Sequence, residues 1–183
     1  MRNITKNFYQ GSLDGLCGLY STINALSALI QLSEDDCSVL FKIGLEHLDA
    51  RTNLKKTILE GMRLPIVKEI INRYKPLLKE WGYALEVYKI CENYANISGV
   101  ASAIRDWVIE DLQCAIVGVG GRINHWTCIV EPFFKSIAFT DSDGLKRLHL
   151  CYITTGKIRK KKQYIISPEE VIGIRLLPIK MTF

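Results

Sequence analysis

The sequence predicts an α+β fold, helical in its N-terminal half and mainly an antiparallel β-sheet in its C-terminal half. Up to Gly82, apolar residues recur at intervals of three and four, the period of helices with one buried face. From Gln113 onward they fall into short runs bounded by Gly, Pro and Asp, as strands do. No linker, repeat or low-complexity stretch separates the two patterns. The chain therefore reads as one domain over 1–183, with a helical half of about 1–82 and a mainly β half of about 83–183.

Residues 1–15 read as an irregular entry segment. Leu16 to Leu32 is a predicted helix, because Leu16, Leu19, Tyr20, Ile23, Leu26 and Ile30 form one apolar stripe. Ser33-Glu-Asp-Asp supplies cap-like residues for a second helix running to about Asp49. Leu54 to Gly61 is a short helical piece. Pro65 to Trp81 is a helix opened by proline and ended by Gly82, with Pro76 expected to kink or split it. Tyr83 to Ile90 follows as a strand and Ser98 to Leu112 as a helix. Strands are then expected at Cys114–Val119, His125–Val130, Ser136–Asp141, Leu148–Ile153 and Ile172–Leu177, with a capped helical turn at Ser167-Pro-Glu-Glu.

Composition narrows the function classes. Apolar residues make up 48% and charged residues 23% of 183, a globular balance. Lys157, Arg159, Lys160, Lys161 and Lys162 alone equal the net charge of +5, so the remainder is close to neutral. A nucleic-acid binder would spread its charge over a face, and none is expected here. The run reads as a solvated hairpin tip or as a contact for an acidic partner or an anionic membrane surface. No apolar run reaches the length of a transmembrane segment, and the first residues lack the apolar core of a signal peptide. The six cysteines show no Cys-x-x-Cys pair, so no metal site is expected, and reduced thiols in a cytoplasmic setting are.

The most informative segment is Gln10-Gly-Ser-Leu-Asp-Gly-Leu-Cys-Gly-Leu-Tyr-Ser-Thr-Ile-Asn-Ala. Asp14 is a suitable N-cap, which would place Cys17 at the third helical position. The partial positive charge of a helix N-terminus favours thiolate, the reactive form of a thiol. The free backbone N–H groups at the same end can donate to a developing oxyanion. Helical spacing sets Cys17 on the side of Ser21 and Asn24, away from the Leu16–Leu19–Ile23 stripe, where a polar cleft could lie. Taken alone, such a residue reads more readily as a buried structural cysteine than as a nucleophile.

His125 opens a predicted strand and Asp141 ends the next. If the two pair symmetrically about Phe133, residue 125 stands opposite residue 141. The carboxylate could then hold one imidazole nitrogen and leave the other for a thiol. Asp143 has the same parity and is the fallback orienter, although Asp141-Ser-Asp-Gly is also a good turn sequence. His47 is expected to be exposed among helix charges, and His149 is not expected in the site.

The order Gln10, Cys17-Gly18, His125, Asp141 resembles that of the papain-like cysteine peptidases, most closely the bacterial C39-like group, and is similar to papain-fold effector proteases. The resemblance implies a Cys-His-Asp trio with Gln10 donating to the oxyanion hole and no cofactor. Gln10 lies one residue farther from Cys17 than that family usually places it. Asp14-Gly-Leu-Cys17 also resembles the ovarian-tumour deubiquitinases, but no His near the chain end matches theirs. The expected function is a thiol hydrolase that cleaves a peptide or isopeptide bond of a protein or peptide substrate. Glutamine deamidation, transglutamination and a non-catalytic interaction module on the same fold are the alternatives.

Overall fold

The computed structural model describes residues 8–9, 15–51 and 53–179. Four helices come first: α1 (Cys17–Ile30), α2 (Glu34–Arg51), α3 (Leu54–Glu60) and α4 (Leu64–Glu80). Then follow β1 (Tyr83–Tyr88), α5 (Ile97–Val108), β2 (Gln113–Gly121), β3 (His125–Ile129) and β4 (Ser136–Ala138). The remainder is β5 (Arg147–His149), a 3₁₀ turn (Leu150–Tyr152), β6 (Ile153–Thr154), β7 (Tyr164–Ile165), a second 3₁₀ turn (Pro168–Glu170) and β8 (Val171–Pro178). The α+β division near residue 82 is as the periodicity implies.

Local chemistry sets the helix ends. The Ser33 hydroxyl accepts from the Asp36 N–H at 3.1 Å, and the Asp36 carboxylate takes the Ser33 N–H at 3.2 Å, a reciprocal cap for α2. Asn53 and Asn96 cap α3 and α5 by accepting from Lys56 and Gly99 N–H at 3.0 and 2.9 Å. Pro76 does not split α4, which continues through it. It lies on the exposed side, where the Asn72 carbonyl that loses its helical donor can turn to solvent. His47, expected to be exposed, is buried. Arg73 Nε donates to its Nδ1 at 3.2 Å, so Nε2 carries the proton facing Glu69 at 3.0 Å.

The sheet is built around β2, which pairs antiparallel with β8 on one side and with β3 on the other. Its end, Gly120–Gly121, pairs with β7, and β7 pairs parallel with β6. β1 closes the far edge against β8. Cys114 and Ile116 face a core shared with α1, α2 and α4. Ala115, Val117 and Val119 face a second core under α5, Phe133 and β4–β5. Burial on both faces explains why β2 is an uninterrupted apolar run.

One register expectation is corrected. β4 pairs with β5, and only a bridge between Cys128 and Thr140 ties its end to β3. Residue 141 therefore lies opposite Thr127, not His125. The cause is Phe133, which is buried in the second core and pulls the connection inward instead of standing at the tip of a symmetric hairpin. The basic run ends in a solvated tight turn at Lys160–Lys161, as expected, although the strands on either side of it, β6 and β7, run parallel. Reciprocal Arg159–Lys162 backbone hydrogen bonds turn it back. Lys157, Arg159, Lys160 and Lys161 are exposed on it.

α1 is the central helix and starts at Cys17, with Leu16 as an N-cap that makes no side-chain hydrogen bond. Cys17 is thus the first helical residue rather than the third, and Asp14 lies outside the described residues. α1 is buried almost all round, including Ser21, Thr22, Asn24 and Ser27. Ser21 and Thr22 donate to carbonyls three residues back, at 2.9 and 2.7 Å, which satisfies them inside the core. Asn24 holds the Phe8 backbone, accepting its N–H at 2.8 Å and donating to its carbonyl at 3.1 Å. The Ser21–Asn24 side therefore forms no polar cleft.

The entry to α1 is pressed against the end of α3. Gly15 donates its N–H to Ile58 O at 2.6 Å, and a Cβ on Gly15 would sit 2.8 Å from both Ile58 O and Gly61 N. Gly61 has φ +81°, a conformation that glycine adopts without strain. Gly15→Ala should lower stability in urea denaturation by about 1–3 kcal/mol, because backbone must move. Gly156→Ala, whose methyl meets open space, should stay within about 0.5 kcal/mol of the parent. Equal midpoints for parent and Gly15→Ala would contradict the close approach.

Candidate active site

Three side chains from three elements meet at one end of β3. Cys17 begins α1, where the first N–H groups have no intrahelical acceptor. His125 begins β3, opposite Val119 of β2. α1 packs across β3, and the Trp126 backbone N–H donates to Cys17 Sγ at 3.4 Å. The His125 ring is bonded to Asp141 on one side, and Cys17 lies close enough on the other to help hold the ring's proton. Nε2 of His125 lies 2.6 Å from Asp141 Oδ1, which leaves Nδ1 for the sulfur. Asp141 reaches the ring diagonally across the β3–β4 bridge, not from the opposed position.

Asp141 is held rigidly. It is 4% exposed, and its Oδ2 accepts the Asp143 and Leu145 N–H groups at 2.9 and 2.8 Å. The Thr127 hydroxyl supports it from the opposite strand. Both turn formation and contact with the imidazole are thus properties of this one residue. Asp143 is exposed and supports Asp141 through its backbone, so it does not take the orienting position. Gln10 lies outside the described residues. His149 is exposed against Tyr152.

The electrostatics follow from burial and pairing. Burial alone would push the His125 imidazolium down, but hydrogen bonds and charge from Asp141 and Cys17 outweigh it and raise its pKa from 6.5 to about 10. Burial would raise the Asp141 carboxyl, yet the His125 hydrogen bond and charge, with Thr127 and the Leu145 N–H, hold it below its usual 3.8. The raised His125 contributes stability that is complete below pH 6.5 and is lost as pH rises through about 10. The lowered Asp141 contributes stability present above pH 3.8 and lost as pH falls below it. Elsewhere burial pushes the Cys37 thiol to about 11, Cys91 to about 12 and Cys128 well above its usual value.

Cys17 and His125 open into a cleft of about 250 Å³. One wall is Glu60–Met62, after α3, and the other is Gly118–Gly120 of β2. Trp126 joins both, since its indole N–H donates to Met62 O at 2.8 Å while its backbone N–H holds the sulfur. The sequence reading missed Trp126 and Thr127. Their positions beside His125 are the only signal that the sequence carried for them. Among the described residues, no group of His, Cys, Asp and Glu is arranged to hold a metal ion, and no helix is long and apolar enough to cross a membrane.

Long-range ¹H–¹⁵N NMR of histidine-labelled protein reads this arrangement directly. His125 should remain an imidazolium at neutral pH and titrate near 10. In Asp141→Asn the midpoint should fall, because the hydrogen bond and charge that oppose burial are gone. A parent midpoint near 6.5 would contradict the pairing.

No protein-family model and no curated protein matches the chain. Among solved structures it is similar to the peptidase domain of Streptococcus ComA, a bi-functional ABC transporter involved in a quorum-sensing pathway. The two are 13% identical with a TM-score of 0.48, over 93% of this chain and 96% of that one.

Proposed function

We propose that this chain is a cysteine peptidase-like hydrolase of a single domain, acting on a peptide or isopeptide bond of a protein or peptide substrate. The observation that carries the reading is the continuous contact Asp141–His125–Cys17 at the wall of an open cleft. The carboxylate fixes the ring, the ring so held can exchange a proton with the sulfur, and the Trp126 N–H adds a donor to that sulfur. A buried structural cysteine would need none of these partners.

In the proposed cycle the Cys17 thiolate attacks the carbonyl carbon, forming a C–S bond and moving the π electrons onto oxygen. The N–H of Cys17, at the start of α1, is the donor placed to receive that oxyanion, and Gln10 is the second donor that the family resemblance supplies. The oxyanion collapses, the C–N bond breaks, and His125 gives its proton to the departing amine, which leaves a thioester. His125 then takes a proton from water as the hydroxyl attacks. The C–S bond breaks, the acid product leaves, and the thiolate returns.

Alkylation with iodoacetamide at about pH 6, followed by peptide mapping, tests this reading. Cys17 should be labelled at least about tenfold faster than exposed Cys151, with Cys37, Cys91 and Cys128 slower still. His125→Ala should remove that advantage. Cys17→Ala should abolish peptide turnover while shifting Tm by no more than a few degrees, about what loss of one sulfur contact predicts. Cys151 labelled first, or a large loss of stability in Cys17→Ala, would instead mark a structural thiol.

A further inference from the structure

The charge of the cleft runs against that of the chain. The protein carries a formal +5, yet besides Cys17 and His125 the ionisable side chains lining the cleft are the carboxylates of Glu60 and Glu170. Among the described residues no Lys or Arg lines it. The nearby cations face elsewhere. Lys56 pairs with Glu60 at 3.7 Å and, with Arg63, lines the next groove beyond Gly61–Met62. Arg122 is bonded to Gln163 at 3.0 Å. Beyond the Cys17–His125 pair, then, the described ionisable groups that face the cleft are both acidic.

Glu170 differs from Glu60, which is exposed and already paired. It is half-buried at the end of the 3₁₀ turn, immediately before β8. Its Oε2 hangs over Gly118: a Cβ there would lie 3.1 Å from that oxygen and 3.3 Å from the Trp126 ring. The carboxylate has no hydrogen bond or ion pair to any described residue. A partly desolvated carboxylate in that position gains most from a charge-assisted hydrogen bond with an incoming cation, and it repels an incoming anion.

We infer that Glu170 is a specificity-determining residue that selects substrates carrying a Lys or Arg side chain next to the bond to be cleaved. The inference rests on the hydrolase reading and names the substrate class of that same site. Glu60 plays a smaller part, because Lys56 offsets its charge.

Two measurements separate the inference from the reading beneath it. The first compares Cys17 modification by cationic 2-aminoethyl and anionic 2-sulfonatoethyl methanethiosulfonate, each rate divided by that of free 2-mercaptoethanol. Both reagents form a mixed disulfide on the sulfur and release methanesulfinate. The cation should be favoured by about tenfold, less at about 0.5 M NaCl. Glu170→Gln should cut that ratio at least about threefold, and Glu60→Gln by less. A ratio near unity, or one that Glu170→Gln leaves unchanged, overturns the inference. The second is a fluorogenic peptide library varied at each position around the scissile bond. Lys or Arg at one position should raise kcat/KM about tenfold over norleucine, and Glu170→Gln should bring the Lys peptide down to its neutral counterpart. Equal turnover of Lys and norleucine peptides overturns the inference and leaves the hydrolase reading standing. No turnover of any peptide, with slow Cys17 labelling, overturns the hydrolase reading and this inference with it.

Discussion

Trp126 ties the helical and β halves together at the point where the chemistry would occur. Its backbone N–H holds the Cys17 sulfur, and its indole N–H holds Met62 O. Its ring lies against the positions where Gly18 and Gly118 lack side chains. Because Trp126 follows His125 directly, fixing it fixes the start of β3, and with it the ring that stands between Cys17 and Asp141. α1 can approach that closely because Gly18 offers no Cβ to Val67, Met62 or Trp126.

The buried thiols show how much that setting changes one cysteine. Cys91 and Cys128 are as deeply enclosed as any residue in the chain, and burial alone makes each a poor nucleophile by disfavouring thiolate. Cys17 is nearly as enclosed, at 6% exposure, but the same burial surrounds it with a donor, an imidazole and a helix N-terminus. Enclosure then works in favour of chemistry, since fewer waters compete for those groups. The proposed acidic cleft adds to this: an unpaired carboxylate lining the same cleft makes the incoming side chain, rather than bulk water, its natural partner.

Much of this was legible in the sequence because it depends on local rules. Apolar spacing located α1, α4 and β2, and Ser33 marked the start of α2 through a short-range hydrogen bond. The meeting of Cys17, His125 and Asp141 was also expected, though partly for a wrong reason. The hairpin symmetry that put residue 141 opposite residue 125 is absent, and the carboxylate arrives diagonally from a turn that its own Oδ2 organises. What could not be read depends on long-range packing. The burial of Phe133 redirects β4, the exposure of Pro76 lets α4 continue, and a partner from α4 draws His47 inside. Trp126 and Glu170 carry no motif of their own and gain meaning only from what the fold sets beside them.

The central claim is that Asp141 acts on Cys17 through His125, so that the three behave as one unit. A double-mutant cycle on the rate of Cys17 alkylation at about pH 6 tests it most directly, using Asp141→Ala and His125→Ala singly and together. The account predicts that Asp141→Ala slows the reaction when His125 is present and has no further effect once His125 is gone. Independent, additive effects of the two substitutions would contradict it.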